Sequence, residues 1–544
     1  MSKIFLADKQ TLDETKALVE QTKSAVNEVN ESVSSVNKTL EGGTGGGIAP
    51  SNMLTFWVSG GDKCAKLTIV PPEDTVIDNQ MICTVAGVKI VRSDTKIPNT
   101  EAAGIEILDL PREEFEKYKT TPYVDEGLTN NKTYYYKAFP YSDYGICNRN
   151  PANGREVTPK AYILYGFKRD KNDSNPATRI SYTEMAVGMT PARNNNATKV
   201  FNYGSWKDVW LVSENKPAMI KYDGTIDYYL NPNDYTKKEN GEASDVSNQS
   251  YGGNAMAIFP HAYIKRWQDA RYEYVNFCNI KLDEDYYDFA HQREDESSGD
   301  WFAYQMFDPT VIGGKMRSIK GTTPTCNNTA TSEQSYAKAN GAHWDMVSHS
   351  RRQFIMDLCT LISCHDSGKT VFGRGYYTGA TSSSPNWLTS GGAFDKGQFY
   401  GSDSTRDYVK VFHIENFWGN VWNRIVGHLL DSRGHLVRSI PPYNFTGTGY
   451  DVVGVTVSGT NGGYIKGTNT SKYGTLSQDI SGSETTYTTD GGWVNNSQLN
   501  AELVGGSGYD AGRVGLRASV LNNAPSVAAW NIAGSLSSEQ PVAA

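Results

Sequence analysis

The segment Val409-Lys410-Val411-Phe412-His413-Ile414-Glu415, followed at once by Asn416-Phe417-Trp418-Gly419-Asn420-Val421-Trp422, restricts the fold of this chain more than any other. Its first half is rich in β-branched and aromatic residues and reads as a strand. Its second half crowds two tryptophans and a phenylalanine around one glycine. Side chains of that bulk need burial. A residue without a Cβ lets the backbone pass close to another element. The segment is therefore expected to be the keystone of a large C-terminal domain, with Trp418, Gly419, Asn420 and Trp422 in its core.

Phe417-Trp418-Gly419-Asn420-Val421-Trp422 resembles the core signature of the C-type-lectin-like fold found in phage tail-tip proteins and in formylglycine-generating enzymes. The resemblance implies an α+β domain, mostly antiparallel and rich in loops.

The chain has 544 residues, more than one ordinary core can organise, so several domains are expected. A formal net charge of −8 argues against a nucleic-acid partner, which would require a basic stripe. Abundant Gly, Tyr, Asn, Ser and Thr with few helical patterns suit a β-containing protein with many exposed loops. No apolar run is long enough to span a membrane, so no membrane insertion is expected. Met1 to Asp8 is too short for a secretory apolar region. Synthesis in a bacterial cytoplasm is expected, with release by assembly and lysis. The seven cysteines are odd in number, and no pair has C-x-x-C spacing. Cys359 and Cys364 are the closest pair and read as buried thiols. Neither a disulfide framework, a metal site nor a cofactor is expected.

Residues 12 to 40 carry an apolar seam in alternating steps of three and four: Leu12, Thr15, Val19, Thr22, Val26, Val29, Val33, Val36 and Leu40. Valine at both core positions in the second half of the seam disfavours a parallel dimer and points to a trimeric coiled coil over 1–41. Gly42 to Gly47 opens a flexible linker over 42–50. From 51 to 160 short strand patterns follow, at Leu54–Val58, Ala65–Val70 and Val85–Val91. Leu128, six residues before Tyr134 and the alternation that follows, resembles the tyrosine corner of a fibronectin type III domain. That resemblance implies an all-β sandwich acting as a spacer.

The last domain is expected over 161–544. Tyr165-Gly166-Phe167-Lys168-Arg169-Asp170 and Phe201-Asn202-Tyr203-Gly204-Ser205-Trp206 resemble tail-fibre and baseplate proteins of phages and prophages. Asp223-Gly224 reads as a hairpin turn. Helices are expected at about 331–339 and 348–363, the second with Phe354, Leu358, Leu361 and Ile362 on one apolar face. The C-terminal strings Gly491-Gly492-Trp493-Val494-Asn495-Asn496, Tyr509 to Ser519 and Leu521 to Ser537 resemble the variable proteins of diversity-generating retroelements. In that family a rigid scaffold displays changeable side chains near this end. The resemblance implies a buried Trp493 and Trp530. Val494, Asn495, Asn496, Tyr509, Arg513, Arg517, Ser519, Asn522 and Asn523 are the expected receptor-binding surface, because aromatics, Arg and short amides make adaptable contacts.

Enzymatic readings find less support. No cysteine follows Cys364, so the nucleophile that formylglycine-generating enzymes carry late in the fold is missing. Trp530-Asn531-Ile532 lacks the second carboxylate of a calcium-dependent sugar site. Asp283, Glu284, Asp285, Asp288, Glu294, Asp295 and Glu296 read as a solvated acidic loop rather than the opposed carboxylates of a glycosidase. Cys364-His365-Asp366 are sequence neighbours, which seldom face each other productively, and His343, His349 and His365 read as packing residues. The expected function is host attachment. The chain would be a homotrimeric tail-fibre or tail-tip receptor-binding protein of a virion, held by tail or baseplate proteins at its stem and binding a host surface protein or glycan. The alternatives are a tail-associated enzyme that degrades a surface polymer and a structural baseplate subunit.

Overall fold

A computed structural model describes residues 47–542 apart from 456 and 458–461. The expected stem, and the linker up to residue 46, lie outside the described residues. The chain is mostly β-sheet with few helices, and it divides into two compact units between Tyr162 and Ile163.

In the first unit, three strands pair in the order Thr55–Gly61, Cys64–Val70, Tyr123–Glu126. Four more pair in the order Ile105–Pro111, Val85–Ser93, Tyr134–Ser142, Gly154–Val157. Period-two alternation places Phe56, Val58, Leu67 and Ile69 of one sheet against Val88, Ile90 and Tyr136 of the other in a shared core. Tyr134 closes the turn before its own strand, its hydroxyl accepting from the Thr129 amide at 3.0 Å.

The second unit is built on two large sheets. A seven-stranded sheet is antiparallel throughout, with Gly253–Pro260 at its centre, buried along its whole length. The late strand Ser537–Glu539 is inserted into it between Trp301–Gln305 and Trp344–Asp345. An eight-stranded sheet is centred on Trp422–Asp431, which pairs with Gly434–Val437, Asn500–Val504 and, in parallel, Ile532–Ala533. The hairpin expected at Asp223-Gly224 joins Lys216–Lys221 to Ile226–Asn231.

The two expected helices span Ala330–Lys338 and His349–Ser363. The second is buried on every side, charged residues included, and not along one stripe. Ser348 caps its first turn, its hydroxyl accepting from the Arg351 amide, and Cys364 ends it in the left-handed region at φ 47°. A helix enclosed this way must satisfy its polar side chains internally. Arg352 donates to the Phe417 carbonyl, and Asp357 receives Arg266 and Arg517.

The keystone differs from its expected form. Val409 to Glu415 is a two-residue ladder, Lys410–Val411 on Ile414–Glu415, turned through left-handed backbone at Phe412 and His413. The long strand begins only at Trp422. The burial and the close approach hold as expected. Trp418, Asn420 and Trp422 are buried, and a Cβ on Gly419, at φ 78°, would lie 2.6 Å from the Tyr376 carbonyl oxygen. Asn416 and Asn420 both donate to Asp308 Oδ2, at 2.8 and 2.7 Å, and Asn420 Oδ1 accepts from the Leu388 amide. Glu415 accepts from the Gly391 and Ala393 amides. The keystone is therefore held by carboxylates and amides as much as by its aromatic rings.

Candidate functional site

The C-terminal residues separate into a surface set and a buried set. Tyr509 is 62% exposed and meets the edge of Trp530, their ring centres 5.9 Å apart at 79°. Trp530 stacks on Trp387 at 5.3 Å and 10°. Trp530 is half-buried and belongs to this surface cluster, so its expected place in the core is corrected. It lies in a loop, packed against the cluster of Tyr376, Ala380 and Leu388 but with part of its ring left to solvent. Trp493 is also half-buried. One side meets Trp422 edge-on at 5.6 Å, and the exposed Arg513 lies 5.6 Å over its ring.

The amide cluster is carried by paired strands. Val494 is in parallel register with Leu521, and the Asn495 amide donates to the Leu521 carbonyl at 3.0 Å. Asn523 Nδ2 donates to Asn522 Oδ1, and Ser497 donates to Asn495 Oδ1. Asn496 is exposed, while Val494, Asn495, Asn522 and Asn523 are partly so. Two groupings result, Trp387 with Trp530 and Tyr509, and Arg513 over Trp493, with Trp493 adjacent in sequence to Val494 and the amides that follow it. Aromatic faces beside short amides, held by a rigid frame, suit reversible recognition of a polar ligand.

Two expected surface residues point inward. Arg517 is 5% exposed and donates to Asp357 Oδ1 and Thr360 Oγ1 at 3.1 and 3.0 Å. Ser519 donates to Glu502 Oε1 at 3.0 Å. Arg517, in the turn before the strand Ser519–Leu521, faces the long helix, and a charge there is held because carboxylates meet it. Arg517 is accordingly a structural residue.

The acidic loop is only partly solvated. Glu284, Asp285 and Glu294 to Glu296 are exposed, and Lys265 pairs with Asp283 and Asp285. Asp288 is buried, accepting from His261 at 2.9 Å and from Ser298 at 2.5 Å. Burial alone would raise its pKa, but these partners outweigh it and hold the carboxyl below its ordinary value. Cys364, His365 and Asp366 point to different places. The thiol meets the Ile180 carbonyl, His365 Nδ1 accepts from the Ser367 amide, and Asp366 receives Arg169. Burial pushes His365 down to about 4.

Two features escaped the sequence reading. An open cleft of about 350 Å³ is lined by Tyr203, Lys207, Asp208, Tyr229, Glu239 and His413. A buried cluster of three histidines and one glutamate joins the long helix to the eight-stranded sheet. Glu502 Oε2 lies 2.8 Å from His349 Nδ1 and 2.7 Å from His428 Nδ1. His428 Nε2 is 2.8 Å from His435 Nδ1, and His435 Nε2 is 3.0 Å from the Ser477 carbonyl oxygen. The one local sign of this cluster was Glu502 itself, a lone acid within the strand Asn500–Val504.

No protein-family model matches the chain, and no curated protein matches it.

Proposed function

We propose that this chain is a phage tail receptor-binding protein that attaches a virion to the host surface through its second unit. The observation that carries the reading is a pair of partly exposed groupings near the C-terminal end, Trp387 with Trp530 and Tyr509, and Arg513 over Trp493, with the exposed or half-exposed Asn495, Asn496 and Asn522 close by in sequence. Adaptable side chains lie there on a frame of buried strands, the division of labour that reversible recognition needs.

The domain readings have structural support of their own. Three- and four-stranded sheets around one core, with a tyrosine closing the turn before its strand, support a fibronectin III-like spacer. Two helices beside mostly antiparallel sheets, with the late strand Ser537–Glu539 returned between earlier ones, support a C-type-lectin-like head. The heptad seam over 12–40, with valine at both core positions from Val26 to Val36, supports a trimeric stem that docks on tail or baseplate proteins. Three heads on one stem would multiply weak single-site contacts into firm attachment. Among the described residues no helix is long and apolar enough to cross a membrane.

Adsorption of the labelled full-length protein to susceptible cells tests the reading. A combined change of Asn495, Asn496, Tyr509 and Arg513 to alanine abolishes adsorption, and deletion of residues 51–160 does not. Wild-type adsorption by the quadruple variant, with loss in the deletion, would move recognition to the first unit.

A further inference from the structure

The buried histidine cluster poses a problem of proton placement. The Ser477 carbonyl can only accept, so His435 Nε2, 3.0 Å away, carries a proton. With its single ring proton there, His435 Nδ1 is bare and must accept from His428 Nε2–H. The remaining nitrogen of a neutral His428, Nδ1, then directs a lone pair at Glu502 Oε2, 2.7 Å away. Two lone pairs at that distance in a buried site repel unless a cation lies between them. His349 Nδ1 converges on the same oxygen from the first turn of the long helix.

We propose that His349, His428 and Glu502 bind a divalent transition-metal ion, with zinc the best match. Their ligand atoms lie within 4.8 Å of one another, all three residues are buried, and they come from a helix and two strands. Two imidazoles and one carboxylate form a donor set of the kind zinc takes, with water as the fourth ligand. His349, His428 and Glu502 also line a cavity of about 20 Å³, room for one water. Two of the three ligands have the outer partners that orient metal ligands, while the buried His349 Nε2 has none. His435 accepts the distal proton of His428, and Ser519 donates to the other oxygen of Glu502. Seating zinc opens each nitrogen–oxygen edge by about half an ångström, toward the roughly 3.3 Å edge of a tetrahedron with bonds near 2.0–2.1 Å. Arg517 also lines the cavity, but its guanidinium is drawn to Asp357 and Asp366, which it shares with Arg266, Arg169 and Arg179.

Such an ion ties the long helix to the eight-stranded sheet beside the strand Ser519–Leu521, which leads to the partly exposed Asn522 and Asn523. It binds the folded chain and not the unfolded one, so it raises stability by mass action. This inference does not depend on the receptor-binding reading.

The test uses tag-free, full-length protein from metal-replete medium, dialysed against metal-free buffer, with metal measured by mass spectrometry. The expected content is one zinc per chain. Removal with a strong chelator should lower the thermal midpoint by about 5 °C or more, and added zinc should restore it. Glu502→Gln keeps the size of the side chain and should bind less than about one tenth of the wild-type metal, whereas His343→Ala, outside the cluster, should bind it fully. If Glu502→Gln fails to fold, cobalt substitution of the wild type decides, a tetrahedral cobalt absorption spectrum being expected. Metal-free wild type whose midpoint does not respond to zinc would overturn the proposal and leave a proton as the bridging cation. Full occupancy in a folded Glu502→Gln would overturn it by placing the ion elsewhere.

Discussion

Arg517 Nη2 lies 3.1 Å from Asp357 Oδ1, and both residues are buried. The contact joins the turn before Ser519–Leu521 to the middle of the long helix. Its neighbours are charged too. Arg266 meets the other oxygen of Asp357 at 2.7 Å, and Asp366 receives Arg169 at 2.9 Å and Arg179 at 3.3 Å. Removing one member leaves charge uncompensated in the interior. Arg517→Ala should therefore cost about 3–5 kcal/mol, while Arg513→Ala, on the surface four residues earlier, should stay within about 0.5 kcal/mol. Denaturant unfolding of the two variants measures the contrast, and equal midpoints would refute the buried role.

The same network sets the acid limit of the fold. Burial alone would raise the carboxyls of Asp357 and Asp366, but the surrounding arginines outweigh it and hold both below their ordinary value. A folded pKa below the unfolded one gives stability that is present above the unfolded value, about 3.8, and is lost as pH falls through the folded value. The wild type should accordingly keep this contribution down to about pH 4 and lose it below. Arg517→Ala weakens the pairing of both carboxylates, so its acid unfolding, followed by circular dichroism, should begin at higher pH.

Gly419 has no substitute. At φ 78° an added Cβ is strained, and it would press on the Tyr376 carbonyl oxygen at 2.6 Å. Gly419→Ala should destabilise by roughly 1–3 kcal/mol or more, seen as a lower thermal midpoint. An unchanged midpoint would mean that the crossing beside Tyr376 can relax.

In the first unit, the Thr129 amide gives its hydrogen to the Tyr134 hydroxyl. Tyr134→Phe removes the acceptor and should cost about 0.5–1.5 kcal/mol. Hydrogen exchange at the Thr129 amide should accelerate in the variant, and an unaltered rate would show that water replaces the hydroxyl without loss.

Trimerisation through the proposed stem is tested by Val29→Asp combined with Val33→Asp. Charges at seam positions carry a penalty of several kcal/mol across three chains. Sedimentation at micromolar concentration should give three chains for the wild type and fewer for the variant. A wild-type monomer or dimer would exclude the trimeric stem.

Local pattern alone determined a good deal of this protein. Alternation located the strands at 54–58, 65–70 and 85–91, helical spacing located the helices at 331–339 and 348–363, and Asp223-Gly224 marked its hairpin. Each of these signals is complete within a few residues, so no distant partner is needed to read it. The bulk of Trp418 and Trp422 around Gly419 likewise announced a buried crossing. What distant partners contribute was decided by tertiary structure alone. Arg517 and Arg513 look equivalent along the chain, and only Asp357, 160 positions away, makes the first a buried residue. Trp530 has the composition of a core residue, yet it lies half-exposed because Trp387, Tyr509 and one small apolar cluster cover only part of its ring. His349, His428 and Glu502 come from segments 74 to 153 residues apart, and no spacing rule links them. Their meeting depends on how the long helix packs against the eight-stranded sheet, a relationship fixed by side-chain packing across the whole unit.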